Sequence, residues 1–324
     1  MPIAARPGLH PLVASSLALI EKHQHPSGAY PASPTYPVYR YSWLRDGSFI
    51  ADAMSRAGRP ESADRFFGWC ARTIEARADR IADLVARAGR GETIPADVML
   101  PTRYTLDGDE GNEPWWDFQL DGYGTWLWAL VTHANRHQRP LAPYQRAIQS
   151  TVDYLVTFGD RPCYNWWEEH PEHRHVATLA AVRTGLLAVA QATETTDGLL
   201  DGERQAAARS RVAELDALIA GPGTANGHLV RWLDGTEVDG SLLACLVPFE
   251  VVDPTGPVAA RTYEQIRDQL AREGVYRYLG DTFYGGGEWL ILTAWLGWYE
   301  VRIGRRTEAQ RRLEWVAAQA TPEG

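Results

Sequence analysis

The feature that most constrains this chain is the spacing of its apolar residues. They recur at three- and four-residue intervals, interrupted by Gly and Pro, with hardly any of the every-second-residue alternation of a half-buried strand. The spacing predicts helices over 8 to 23, 47 to 58, 61 to 89, 122 to 137, 142 to 158, 175 to 193, 202 to 220, 240 to 247, 257 to 273, 286 to 303 and 306 to 319. Ser48 reads as the cap of a segment with Phe49, Ile50, Ala53 and Met54 on one face, stopping at Gly58 before Pro60, and Ser62 as the start of one carrying Phe66, Phe67, Cys70 and Ile74. No Pro/Gly/Ser linker or low-complexity run divides the chain, so residues 1 to 324 are expected to form one all-α domain. Short turns alternating with longer loops rich in Trp, Asp and Gly fit a six-hairpin toroid, an (α/α)6 barrel, with the longer loops gathered at one mouth. Such a barrel needs twelve helices, and the reading counts eleven.

Composition narrows the function. The 324 residues are 45% hydrophobic and 23% charged, enough for a sizeable core. No apolar run reaches 18 residues, and Leu12 to Ile20 holds two serines and leads into Glu21, Lys22 and His23 without a cleavage site, so a cytoplasmic location is expected. Cys70, Cys163 and Cys245 are too few and too scattered for a disulfide framework or a thiolate zinc site, and read as free buried thiols. A net charge of −9 with no basic stripe argues against nucleic acid and points to an uncharged or cationic small ligand. The 13 tryptophans and 14 tyrosines are the unusual number. They can fill a core, but many sit in breaker-rich segments, where aromatics line clefts and stack on sugar rings.

Four such segments carry chemistry. In Tyr39 to Asp46, Arg45 and Asp46 together offer donors and an acceptor suited to neighbouring hydroxyls, although a capping Asp46 with a surface Arg45 fits equally. Trp115 to Gly122 places a tryptophan pair before a helix start, as a cleft wall or as core. In Tyr164 to His170, Glu168 and Glu169 follow Trp166 and Trp167. A carboxyl group among tryptophans loses solvation when charged and can stay protonated as a general acid; the alternative is a solvated helix N-terminus. His170, His173 and His175 lack a recognisable zinc geometry. In Tyr276 to Trp289, Gly285 to Gly287 lack the strand before and the Lys-Ser/Thr after that a phosphate cradle needs. No metal and no cofactor is implied.

Taken in order, these segments resemble glycoside hydrolase family 15, the glucoamylase family, across residues 39 to 289. The resemblance implies an inverting α-glucosidase that releases β-glucose from the non-reducing end. Tyr39, Trp43, Arg45 and Asp46 would line subsite −1, and Trp115 would position the acid. Glu168 would be the general acid, with Trp167 beside it and Glu169 at subsite +1. Arg277 would span both subsites with Tyr278 and Asp281 in support, and Trp289 would close the aromatic wall. Phe283 departs from the tyrosine often found there, and Gly285 to Glu288 replaces an Asn- and Pro-containing stretch.

Inversion needs a second carboxylate about 6.5 to 9.5 Å from the acid. In the family this base sits before the last helix, in a Leu-Pro-Glu-Gln-like loop. The stretch Trp315 to Gly324 resembles the residues just upstream, so a chain truncated before its base and twelfth helix is expected, with Glu323 as the alternative base and Glu288 too close to the Arg277 segment. No N-terminal β-sandwich is expected, because helices begin by about residue 8. A compact barrel implies short substrates, isomaltose or trehalose rather than starch, with α-1,4 linkages, a non-catalytic sugar binder and an unsaturated-uronyl hydrolase left open. Oligomeric state is not legible.

Overall fold

The computed structural model describes residues 9–321. Among them run twelve α-helices: α1 (Leu9–His23), α2 (Leu44–Arg56), α3 (Pro60–Glu75), α4 (Ala78–Gly89), α5 (Asp121–His137), α6 (Gln145–Phe158), α7 (Val176–Ala192), α8 (Gly202–Ala220), α9 (Leu242–Leu246), α10 (Pro257–Gln269), α11 (Leu290–Arg302) and α12 (Arg306–Ala318). Two short antiparallel strand pairs accompany them, β1 (Tyr41–Trp43) with β2 (Arg103–Thr105) and β3 (Thr224–Ala225) with β4 (His228–Leu229).

The helices alternate between two layers, as a toroid of hairpins requires. The inner layer is α2, α5, α7, α9 and α11, each packed on the next. Burial agrees: all five residues of α9 are buried, whereas α12 buries only Ala309. Around them stand α1, α3 with α4, α6, α8, α10 and α12. The tightest inner contact is α5 on α7, and it depends on glycine. A Cβ on Gly124 would lie 2.3 Å from the Ala181 carbonyl oxygen, and one on Gly185 would lie 2.3 Å from that of Gly124. The backbones touch because neither residue has a side chain. From α11 to α2 the ring is bridged by Phe49 against Trp295, with centroids 5.1 Å apart, and by the Arg56 guanidinium over Trp298.

Several expected boundaries move. The stretch 61 to 89 is two helices, because Arg77 leaves helical geometry to donate to the Thr73 carbonyl and to Glu110. Neither serine caps a helix. Leu44 opens α2, so Ser48 is buried in its second turn. Pro60 opens α3, and Ser62 inside it bonds Gln24 and Tyr30 instead. The last inner helix starts at Leu290 rather than 286, since Gly285, Gly286 and Gly287 all hold positive φ. Cys70, Cys163 and Cys245 are free and buried, as read from their spacing. Among the described residues no helix is long and apolar enough to cross a membrane.

Every chemistry-bearing segment falls just before an inner helix: 39–43 before α2, 115–120 before α5, 163–175 before α7, 231–241 before α9 and 277–289 before α11. The toroid therefore delivers residues far apart in sequence to one mouth.

Candidate active site

At that mouth lies a cleft of 590 Å³. Its floor is aromatic: Phe49 on α2, Trp295 on α11 and Trp166 pack with centroids 5.1 to 5.9 Å apart. Tyr39, Trp43, Arg45, Asp46, Trp167, Glu168, Arg277 and Trp289 line it. Of the other residues singled out in the sequence, Trp115, Glu169, Tyr278 and Asp281 stand behind these and touch them directly.

Glu168 sits where three donors converge. Trp43 Nε1, Trp115 Nε1 and Gln119 Nε2 donate to its Oε1 at 3.0, 2.9 and 3.2 Å. The tryptophans thus do more than exclude water, because their N–H groups take up one carboxylate oxygen while Oε2 receives none of the three donors. The loop carrying Glu168 is strained: Glu168 and His170 hold φ of 64° and 55°, the left-handed region rare for such residues. Asn165 over-determines the turn, its Oδ1 accepting from the N–H groups of Trp167 and Glu169, both at 2.9 Å. Buried His175 donates through Nε2 to the His170 carbonyl at 2.9 Å, and burial pushes its imidazole down to about 4. His173 stacks on Trp232, centroids 4.2 Å apart, so the histidines of this segment brace the loop.

Arg45 and Asp46 face the cleft from the first turn of α2. Arg45 Nη1 bonds Gln119 and Asp121, both at 2.8 Å, while Nε lies 3.5 Å from Asp46. Burial raises the Asp46 carboxyl above its usual range, with Arg45 opposing. The adjacent pair is therefore neither a surface arginine nor a simple cap. Near the rim the Tyr39 and Tyr284 hydroxyls are 3.3 Å apart, and burial together with that contact pushes the Tyr39 phenol up to about 12.

The other wall is ionic. Arg277, 2% exposed, is bidentate to Asp281 at 2.7 and 2.5 Å and lies 3.8 Å from Glu169. Burial works against the Asp281 carboxylate, but Arg277 outweighs it and holds that group below its usual range. Glu169 accepts from Tyr278 at 3.0 Å and from Arg231 at 3.4 Å. Arg231 pairs in turn with Asp239 at 3.3 Å, and Asp239 accepts from the Trp167 indole at 3.1 Å. Trp289 closes this side over Arg277, 5.3 Å from its ring. Glu288 is spent on structure, accepting from the Gly274 N–H at 2.7 Å. Glu323 lies outside the described residues.

Sequence reading passed over Gln119, Asp121, Asn165, Arg231 and Asp239 as site members, together with Arg103 behind Trp115. A lone Arg or Asp outside a motif reads as surface, and no pattern announces that 231–241 enters the mouth. The one usable signal was the Gln119-x-Asp121 spacing at a helix start.

The arrangement, a carboxyl group held through one oxygen beside ion-paired arginines and edge-packed tryptophans, suits cleavage at a polyhydroxylated ring. Known proteins agree with that reading. The chain is 48% identical over 318 residues to an isomaltose glucohydrolase of Kribbella flavida, covering 98% of this chain and 82% of that protein. It is 27% identical over 350 residues to a trehalase of Mycolicibacterium smegmatis, covering 96% of this chain and half of that enzyme. Among solved structures, a variant glycosidase in complex with glucose superposes with a TM-score of 0.92 at 47% identity, over 97% of this chain and 84% of that one. A glucoamylase from Saccharomycopsis fibuligera shares the fold at a TM-score of 0.70 and 16% identity, over 92% of this chain and 74% of that one. The profile of Glycosyl hydrolases family 15 matches residues 8–317, and the chain belongs to that family.

Proposed function

We propose that this glycoside hydrolase removes glucose from the non-reducing end of short α-glucosides with inversion, and that isomaltose is its substrate. The observation that carries the reading is the convergence of three uncharged donors on Glu168 Oε1. They leave Oε2 to protonate the departing oxygen, so Glu168 is the general acid. The terminal sugar sits over the aromatic floor of Phe49, Trp166 and Trp295, with its outer hydroxyls toward Arg45 and Asp46. Glu169, between Arg231 and Arg277, accepts hydrogen bonds from the leaving sugar.

The water-activating base is proposed to come from outside the described residues. The cleft-lining carboxylates are Asp46 and Glu168, and Asp46 is engaged with Arg45. Isomaltose is favoured by the similarity to the Kribbella enzyme; weaker similarity to trehalases makes trehalose the second substrate to try. The uronyl-hydrolase alternative loses its support, because Arg45 and Arg277 are already matched by Asp121, Asp46, Asp281 and Glu169 rather than free for a substrate carboxylate. The test is NMR of the first-formed sugar with the full-length protein on isomaltose and on trehalose. β-Glucose from isomaltose is expected; α-glucose appearing first would end the inverting assignment, and exclusive action on trehalose would move the substrate.

A further inference from the structure

Behind the acid wall lies a charge that the mechanism above does not use. Arg103 on β2 is 2% exposed, and its guanidinium makes no hydrogen bond among the described residues; its Nη1 is buried without a partner. Its nearest carboxylates, the exposed Glu113 and the half-buried Asp117, stand 3.6 and 3.9 Å away. The guanidinium instead packs on aromatic faces, 4.0 Å from the centroid of Tyr41, 3.9 Å from Trp115 and 5.5 Å from Trp43. The β1–β2 register sets Trp43 directly opposite Arg103. A buried, weakly paired cation costs stability, which a neutral residue of similar volume would avoid.

We infer that Arg103 is a positioning residue for the general acid: it clamps the rings of Trp115 and Trp43 so that both indole N–H groups stay on Glu168 Oε1. A cation over an indole face is held by the ring quadrupole. It also draws electron density from the ring and strengthens the N–H at its edge as a donor. Both indoles that donate to Glu168 lie within 5.5 Å of this one guanidinium. Arg103 thereby fixes which oxygen carries the proton and where that oxygen points.

The inference rests on Glu168 being the acid, and the experiment separates the two. Isomaltose hydrolysis breaks the C1–O6 bond, with the acid's proton passing to O6 while water adds to C1 and gives its own proton to the base. α-Glucosyl fluoride loses fluoride and has far less need of the acid. In the full-length protein, Arg103→Met should lower kcat on isomaltose about 10- to 100-fold, part of the usual general-acid contribution, and change turnover of the fluoride by less than about threefold. Adding Arg103→Met to Trp115→Phe should cost much less than it does alone. Glu168→Gln is the control: if it shows no such dependence on leaving group, the acid itself is misassigned. If Glu168→Gln shows it and Arg103→Met lowers both substrates equally, or neither, Arg103 is only structural and the inference falls. Should Arg103→Met fail to fold, Arg103→Lys, which keeps the charge but not the flat stacking surface, carries the same test with the same selective loss expected.

Discussion

On the wall that holds Glu168, uncharged N–H groups from two indoles and an amide meet a single carboxylate oxygen. On the wall of Arg277, two guanidinium groups are shared among three carboxylates, Glu169, Asp239 and Asp281, in one ion-pair network. The difference separates two adjacent glutamates. Neutral donors orient Glu168 by meeting on one of its two oxygens. Glu169, one residue on, faces the guanidinium groups of Arg231 and Arg277 and accepts from the Tyr278 hydroxyl. The strained turn between them, with left-handed Glu168, is what sends consecutive side chains to different walls.

The sharpest way to break this comparison is to exchange each carboxyl for an amide in the full-length protein. Glu168→Gln should lower kcat about 10²- to 10⁴-fold and leave glucose binding largely intact, whereas Glu169→Gln should act mainly through KM. Similar kcat losses for both would mean that the walls do not divide the labour.

The ionic wall should be the more fragile one to truncation. Arg277→Met strands the buried Asp281 carboxylate and should cost about 3–5 kcal/mol in urea denaturation. Trp115→Phe on the other wall removes one hydrogen bond and should cost about 1 kcal/mol. The Arg277 effect should shrink in acid: Asp281 is held below its usual range, so its stabilisation is present above the unfolded carboxylate value and lost as pH falls through the lowered folded one. Equal losses for the two variants would erase the distinction.

His175, which braces the acid turn, gives a pH signature of its own. Its folded value of about 4 lies below the ordinary 6.5, so between those values the unfolded chain binds the extra proton. Stability is complete above about pH 6.5 and should fall by about 3 kcal/mol toward pH 4. His175→Gln, which keeps a donor for the His170 carbonyl, should flatten that slope in thermal melts; an unchanged slope would place the titration elsewhere.

The smallest effect concerns single donors on the acid wall. Trp43→Phe removes one of three N–H groups on Oε1 and should lower kcat on isomaltose about tenfold, with KM little changed. A loss as large as that of Glu168→Gln would show that the donors act as one unit rather than additively.

Apolar spacing and breakers determined the helical order by themselves, because an amphipathic stripe is a local property of the chain. Motif residues such as Arg45, Glu168 and Arg277 were legible for the same reason, since each sits in a short run of distinctive neighbours. The ends of α2 and α3 were not. Ser48 and Ser62 have the chemistry of caps, but burial against partners distant in sequence outweighed local preference. Only the tertiary structure decided which breaker segments share one mouth, that Arg231 and Asp239 enter it, and that Arg103 lies beneath the acid's tryptophans. Those facts depend on which helices pack inward, and no residue carries that information alone. The division between the two glutamates lies between these levels: the sequence set them side by side, and the left-handed turn held by Asn165 and His175 sent one to neutral donors and the other to cations.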